Sequence, residues 1–94
     1  MIVQQFQVYI QRAKTFQDIS NPPASDFWAG YTRGLRRRHH GEAFGTQDEH
    51  EAYLKIPKDE RDLARRALGA GYTAGYCEVE PSVELVKNKV SFLL

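Results

Sequence analysis

The strongest constraint on this chain is a repeat that places glycine where glycine is costly. Ala29-Gly30-Tyr31-Thr32-Arg33-Gly34 recurs as Ala70-Gly71-Tyr72-Thr73-Ala74-Gly75, identical at five of six positions and 41 residues further along. Both copies fall within stretches of helical character, where a glycine costs about 1 kcal/mol relative to alanine. Glycines at i and i+4 share one helix face. Each helix therefore carries a strip without side chains, along which another backbone can come close, as in small-xxx-small helix contacts. The simplest use of both strips is a crossing, glycine face to glycine face, with Tyr31 and Tyr72 packed over it. Gly30, Tyr31, Gly34, Gly71, Tyr72 and Gly75 are accordingly assigned to the scaffold, with Phe27, Trp28 and Leu35 as core on the flanks. The competing reading leaves one groove open for a partner chain. Two copies are too few for a solenoid, which needs about three.

The remaining segments are read around these two helices. In residues 1–19, Ile2, Phe6, Tyr9, Ala13 and Phe16 step as one helical face. Phe6, Val8 and Ile10 alternate as a strand would, but the helical match is longer. Pro22-Pro23 breaks the chain. Ser25 is the expected N-cap of a helix from Asp26 to His39 or His40, with Gly41 as its left-handed stop. Thr46 and Glu49 have capping-box spacing and predict a short helix over Gln47–Lys55. Pro57 ends that helix and is placed to open the next one, whose apolar stripe is Ala64, Ala67, Leu68, Gly71, Tyr72 and Gly75. For residues 82–94, Val83, Val86, Val90 and Leu93 permit a helix. Valine density favours a hairpin, Val83–Val86 and Val90–Leu93 about Lys87-Asn88. The expected fold is one domain over residues 1–94, mainly α. It is a compact bundle of three to four short helices with a C-terminal β-hairpin allowed, becoming α+β if that hairpin or an N-terminal strand forms.

Composition bounds the function classes. With 94 residues, 41% hydrophobic and 27% charged, the chain reads as a globular domain. No apolar run approaches the roughly 20 residues that span a bilayer, and Met1-Ile2-Val3-Gln4-Gln5 has no basic n-region, so neither a membrane span nor a signal peptide is expected. The single Cys77 excludes an internal disulfide and is read as a small buried hydrophobe in a reducing cytoplasm. The net charge is +1 but uneven: residues 1–40 carry +4 and residues 41–94 carry −3. Such asymmetry points to a charged partner or to self-complementary halves.

Arg33, Arg36, Arg37, Arg38, His39 and His40 form a cationic run without an acid. Part of it complements the helix dipole at a C-terminus. Beyond that, it suits an acidic protein surface or phosphates, the latter with salt-dependent affinity and little base specificity. Neither helix-turn-helix nor zinc-finger spacing accompanies it. His39, His40, Glu42, Asp48, Glu49 and His50 match no tight metal-ligand pattern, so no metal or cofactor is expected. No Ser-His-Asp or Cys-His arrangement is readable either, and the acids fall at helix starts where capping accounts for them.

The segment from Phe27 to His50 resembles a group of short, uncharacterised proteins from proteobacterial mobile elements. Their pattern is W-x-G-Y-x-R-G-L-R-R-x-x-H-G-E-x-F-G-T-x-x-E-H, and a second Gly-x-Gly-Tyr-x-x-Gly, like Gly69 to Gly75, usually follows. The resemblance covers about a third of the chain, and the acidic and apolar tail after Cys77 departs from it. It implies an accessory protein of a phage, plasmid or integrative element. Small proteins of such elements often act by binding, inhibitors of host defence such as anti-CRISPR proteins among them. Residues and resemblance together predict a cytoplasmic, non-catalytic interaction protein. It takes a protein or nucleoprotein partner through Arg33, Arg36, Arg37, Arg38, His39 and His40. The alternatives are a small nucleic-acid-binding accessory protein and, third, a metal-dependent hydrolase.

Overall fold

Five α-helices and no strand make up the described residues, 1–89, of the computed structural model. They are α1 (Val3–Ile19), α2 (Ala24–His40), α3 (Gln47–Leu54), α4 (Leu63–Tyr76) and α5 (Val83–Lys89), with a single 3-10 turn at Gly41–Ala43. The fold is mainly α, as the periodicity predicts. The bundle is larger than three or four short helices, because α1 and α2 each run 17 residues. None of these helices is long and apolar enough to cross a membrane.

Helix α1 forms on the 2–16 stripe and not on the strand alternation. Ala13 is fully buried, and Phe6, Tyr9, Ile10 and Phe16 pack against the core. Ile2 falls outside the interface and stays largely exposed. Helix α2 begins two residues before the expected Asp26. The Ser25 hydroxyl does not cap it. The first amides are taken by backbone carbonyls instead, Ser25 N–H by Asn21 O and Phe27 N–H by Pro23 O. Gly41 does stop α2 at positive φ, 62°, while its amide bonds Arg37 O. Its ψ of −139° lies outside the left-handed helical well, so the stop is a sharper turn than expected. Thr46 caps α3 as its spacing predicts, its hydroxyl accepting the Glu49 amide at 3.1 Å.

Two expectations fail for physical reasons. Pro57 does not open α4, because Lys58, Asp59, Glu60 and Arg61 offer no apolar face to bury. They form a turn closed by Glu60 N–H to Pro57 O, and Asp62 caps the helix instead, accepting from Arg65 N–H at 3.2 Å. The hairpin is overturned in its first arm. Val83–Val86 is helical because the Ser82 hydroxyl accepts the Leu85 amide, and Leu85 turns inward as a helical residue would. Its second arm, Val90–Leu93, lies outside the described residues. Cys77 is exposed at the C-cap of α4, not buried.

The core is centred on α2, whose Phe27, Trp28, Tyr31 and Leu35 are buried between α1 on one side and α4 on the other. The α2–α4 contact is the glycine crossing. A Cβ added at Gly30 would stand 2.1 Å from Leu68 O, and one at Gly71 1.9 Å from Phe27 O. At Gly34 and Gly75 the obstacles are Tyr72 O and Tyr31 O, each 2.1 Å away. Leu68 is to Phe27 as Tyr72 is to Tyr31, one repeat length apart, so the crossing has an approximate internal two-fold. Each glycine turns a Cα–H toward a facing carbonyl, the arrangement of weak C–H···O contacts. The four glycines thus face main chain across this crossing, Gly34 and Gly75 against the carbonyls of Tyr72 and Tyr31.

Tyr31 and Tyr72 also fasten the crossing to its surroundings. The Tyr31 hydroxyl donates to Val79 O in the segment after α4. The Tyr72 hydroxyl meets His50 Nδ1 of α3 at 2.7 Å. Burial pushes the hydroxyl pKa of both tyrosines above its ordinary value. Because the folded-state value is the raised one, the stability they contribute is complete below the unfolded value of about 10 and is lost as pH rises above it. The melting temperature should therefore fall steeply above about pH 10, and Tyr31→Phe should flatten that fall. Melting curves between neutral and strongly alkaline pH check this; a wild-type fall no steeper than that of Tyr31→Phe would show that Tyr31 carries none of it.

Candidate functional site

The cationic run of α2 is divided by the fold into four environments. Arg37 is buried, 7% exposed, and is a structural residue. Its guanidinium donates to Phe44 O at 3.3 Å, Gly45 O at 3.2 Å and Gln47 Oε1 at 2.8 Å. It thereby pins the loop between α2 and α3. Arg38 points along the other flank, where it pairs with Glu78 at 3.2 Å and lies over the Tyr76 ring. His39 stacks on Phe6 of α1 with centroids 4.0 Å apart, and His40 meets the same ring edge-on at 5.5 Å. These four residues therefore hold α2 to its neighbours: Arg37 to the following loop, Arg38 to the tail, and His39 and His40 to α1.

Arg33 and Arg36 remain. Neither makes an ion pair or hydrogen bond with any described residue. Both line a cleft of about 320 Å³ between α1 and α2, with Ala29, Thr32, Lys14, Gln17 and Phe44. On α2, positions 29, 32, 33 and 36 follow the i, i+3, i+4, i+7 pattern of one face. At about 100° per residue, that face points away from the glycine strip. On α1, Lys14 and Gln17 share a face at i, i+3. Phe44 enters from the loop that Arg37 holds in place. Lys14 also lacks an ion pair among the described residues. Asp18 and Asp26, the only acids before residue 40, do not line the cleft.

Among the described residues, the cleft thus gathers three cations without an ion pair, an amide and an aromatic ring, and no carboxylate lines it. A cleft lined by one sign of charge focuses the field and draws in counter-ions of the other sign. Arg33 and Arg36 were legible as candidates in the sequence. Lys14, Gln17 and Phe44 were not, because nothing in their spacing tells that α1 folds back along that face of α2. The one available signal was Lys14 and Gln17 interrupting the wet side of α1 one turn apart.

The other concavities are less suited to a ligand. A shallow depression of about 590 Å³ on the outer side of α1 is lined by Gln4, Gln7, Val8, Gln11 and Arg12, side chains of one exposed helix. A space of about 20 Å³, shared by Arg33 and Phe44 with Glu49, His50, Tyr53 and Tyr72, has room for about one water. Among the described residues, no three His, Cys, Asp or Glu side chains come together as metal ligands would. Compared with known protein families, curated proteins and solved structures, the chain matches none.

Proposed function

We propose that the protein is a non-catalytic binding protein that takes an anionic partner, a protein or a nucleoprotein, in the Lys14–Arg33–Arg36 cleft. The observation that carries this reading is the set of three cations in one concavity that have no ion pair among the described residues. The remaining expected contact residues, Arg37, Arg38, His39 and His40, already have partners within the chain. They frame the surface and do not form it. The motif resemblance adds the setting: an accessory protein of a mobile element, for which inhibition of host defence is one role such binding serves.

Charge reversal tests the reading. Arg33→Glu with Arg36→Glu should leave the melting temperature nearly unchanged, since neither side chain has a hydrogen bond or ion pair with a described residue to lose. It should weaken salt-sensitive capture of partners from a host lysate by about tenfold or more, about 1.4 kcal/mol. Lys58→Glu with Arg61→Glu, an equal charge change on the exposed turn before α4, should leave capture intact. Equal losses from both double variants would mean that net charge is at work and the cleft is not the binding surface.

A further inference from the structure

The proposed anionic-partner cleft has a feature that charge alone does not require. Phe44 forms part of its wall, next to Arg33 and Arg36 and across from Lys14 and Gln17. Its main chain is tied down by Arg37, which donates to the Phe44 carbonyl, and the His40 ring lies 6.4 Å from its own. The residue is half-buried. Carboxylates of an acidic protein have no π-face with which to use such a ring. A nucleotide has both parts, a phosphate for the cations and a base for the ring.

Size and placement agree with this. About 320 Å³ is at the low end of small-ligand sites, near that of one nucleotide unit. Lys14 and Gln17 on one wall and Arg33 and Arg36 on the other put donors on both sides of an entering backbone. Cationic grooves with a stacking aromatic are the general solution for unpaired nucleic acid, because every base offers a π-face.

We infer that the α1–α2 cleft binds single-stranded nucleic acid, with Lys14, Arg33 and Arg36 on phosphate oxygens and Phe44 stacked on a base. This rests on the anionic-partner reading of the same cleft and narrows it. The internal two-fold supports the assignment of one site only. One repeat length on, Arg33 and Arg36 correspond to Ala74 and Cys77, and Phe44 corresponds to Leu85, so the second half of the chain lacks both cations and ring.

The test is fluorescence anisotropy on the full chain with end-labelled oligothymidylate and oligouridylate of about 12 nucleotides, the tighter of the two identifying DNA or RNA as the source. Three phosphate contacts predict a slope of log affinity on log salt of about −2, a loss of roughly 20-fold between about 50 and about 200 mM salt. Lys14→Ala should make the slope shallower by about 0.7. Phe44→Leu keeps an apolar side chain and should preserve the melting temperature, yet weaken binding about tenfold with the slope unchanged. Arg33→Glu with Arg36→Glu should abolish binding.

A duplex of the same length bound as tightly as the single strand would overturn the inference, as would a Phe44→Leu variant with wild-type affinity. A polyglutamate peptide that binds the cleft while neither oligonucleotide does would overturn it and leave the anionic-partner reading standing. Binding of none of the three probes at low salt would sink both.

Discussion

Alanine at Gly71 should lower the melting temperature by about 15 °C, although alanine is the better helix former by about 1 kcal/mol. The new methyl carbon would lie 1.9 Å from Phe27 O and 2.8 Å from Phe27 C. Those atoms are main chain inside a helix and cannot rotate aside as the end of a side chain could. The two helices must separate, and separation is felt at all four glycines, because the facing carbonyls of Leu68, Tyr72, Phe27 and Tyr31 share one rigid interface. Overpacking of this kind costs roughly 3–4 kcal/mol, against the propensity gain of about 1. The loss is a large share of the roughly 5–10 kcal/mol that a domain of this size commands. Thr73→Ala is the control on the same helix. Thr73 is exposed, and its replacement should change stability by less than about 0.5 kcal/mol. Thermal unfolding followed by circular dichroism reads both. If Gly71→Ala melts where Thr73→Ala does, α2 and α4 are not in backbone contact.

The crossing was legible because glycine at i and i+4, twice, has few other physical explanations within a helix. The Thr46 cap and the Pro22-Pro23 break were legible for the same kind of reason: one residue type, one local geometry. What failed depended on choices between local signals that only packing decides. Pro57 and Asp62 are both acceptable helix openers, and the charged residues between them have nothing to bury, which favours Asp62. Val83 and Val86 prefer strands when free, but Ser82 caps a helix that lets Leu85 reach the core. Cys77 looked like a core residue because of its chemistry and is exposed because of its position at the end of α4. The cationic run was the hardest to read. Six neighbouring residues look alike as sequence, yet successive positions turn by about 100°, so they meet the loop, the tail, α1 and the cleft in turn. Half of the cleft, Lys14, Gln17 and Phe44, comes from elements whose approach to α2 is a tertiary fact without local signature.

That division of the arginines leads to an expectation opposite to the one the sequence invites. Arg36 and Arg37 are adjacent and chemically identical, and either would be chosen to disrupt binding. Arg37→Ala should instead disrupt the fold. It removes three hydrogen bonds from a cation, to Phe44 O, Gly45 O and Gln47 Oε1, and empties the buried space the side chain fills. Hydrogen bonds to charged groups contribute about 1.5–3 kcal/mol each in isolation, but water can reach the exposed loop carbonyls after the change and replace part of that. A net loss of about 2–3 kcal/mol and a fall of about 10–15 °C in melting temperature are expected. Arg36→Ala, which breaks no hydrogen bond or ion pair with a described residue, should move the melting temperature by no more than about 2 °C. Binding should sort them the other way. Well below its own melting point, Arg37→Ala should keep the salt slope of wild-type binding, since its charge is spent on the loop; any affinity it loses comes from Phe44, whose carbonyl it no longer bonds. Arg36→Ala should lose affinity at full stability. Unfolding curves paired with titrations at low temperature separate the two effects. A salt slope made shallower by Arg37→Ala, in a variant that keeps its melting temperature, would put that guanidinium in the binding surface and return the loop to other supports.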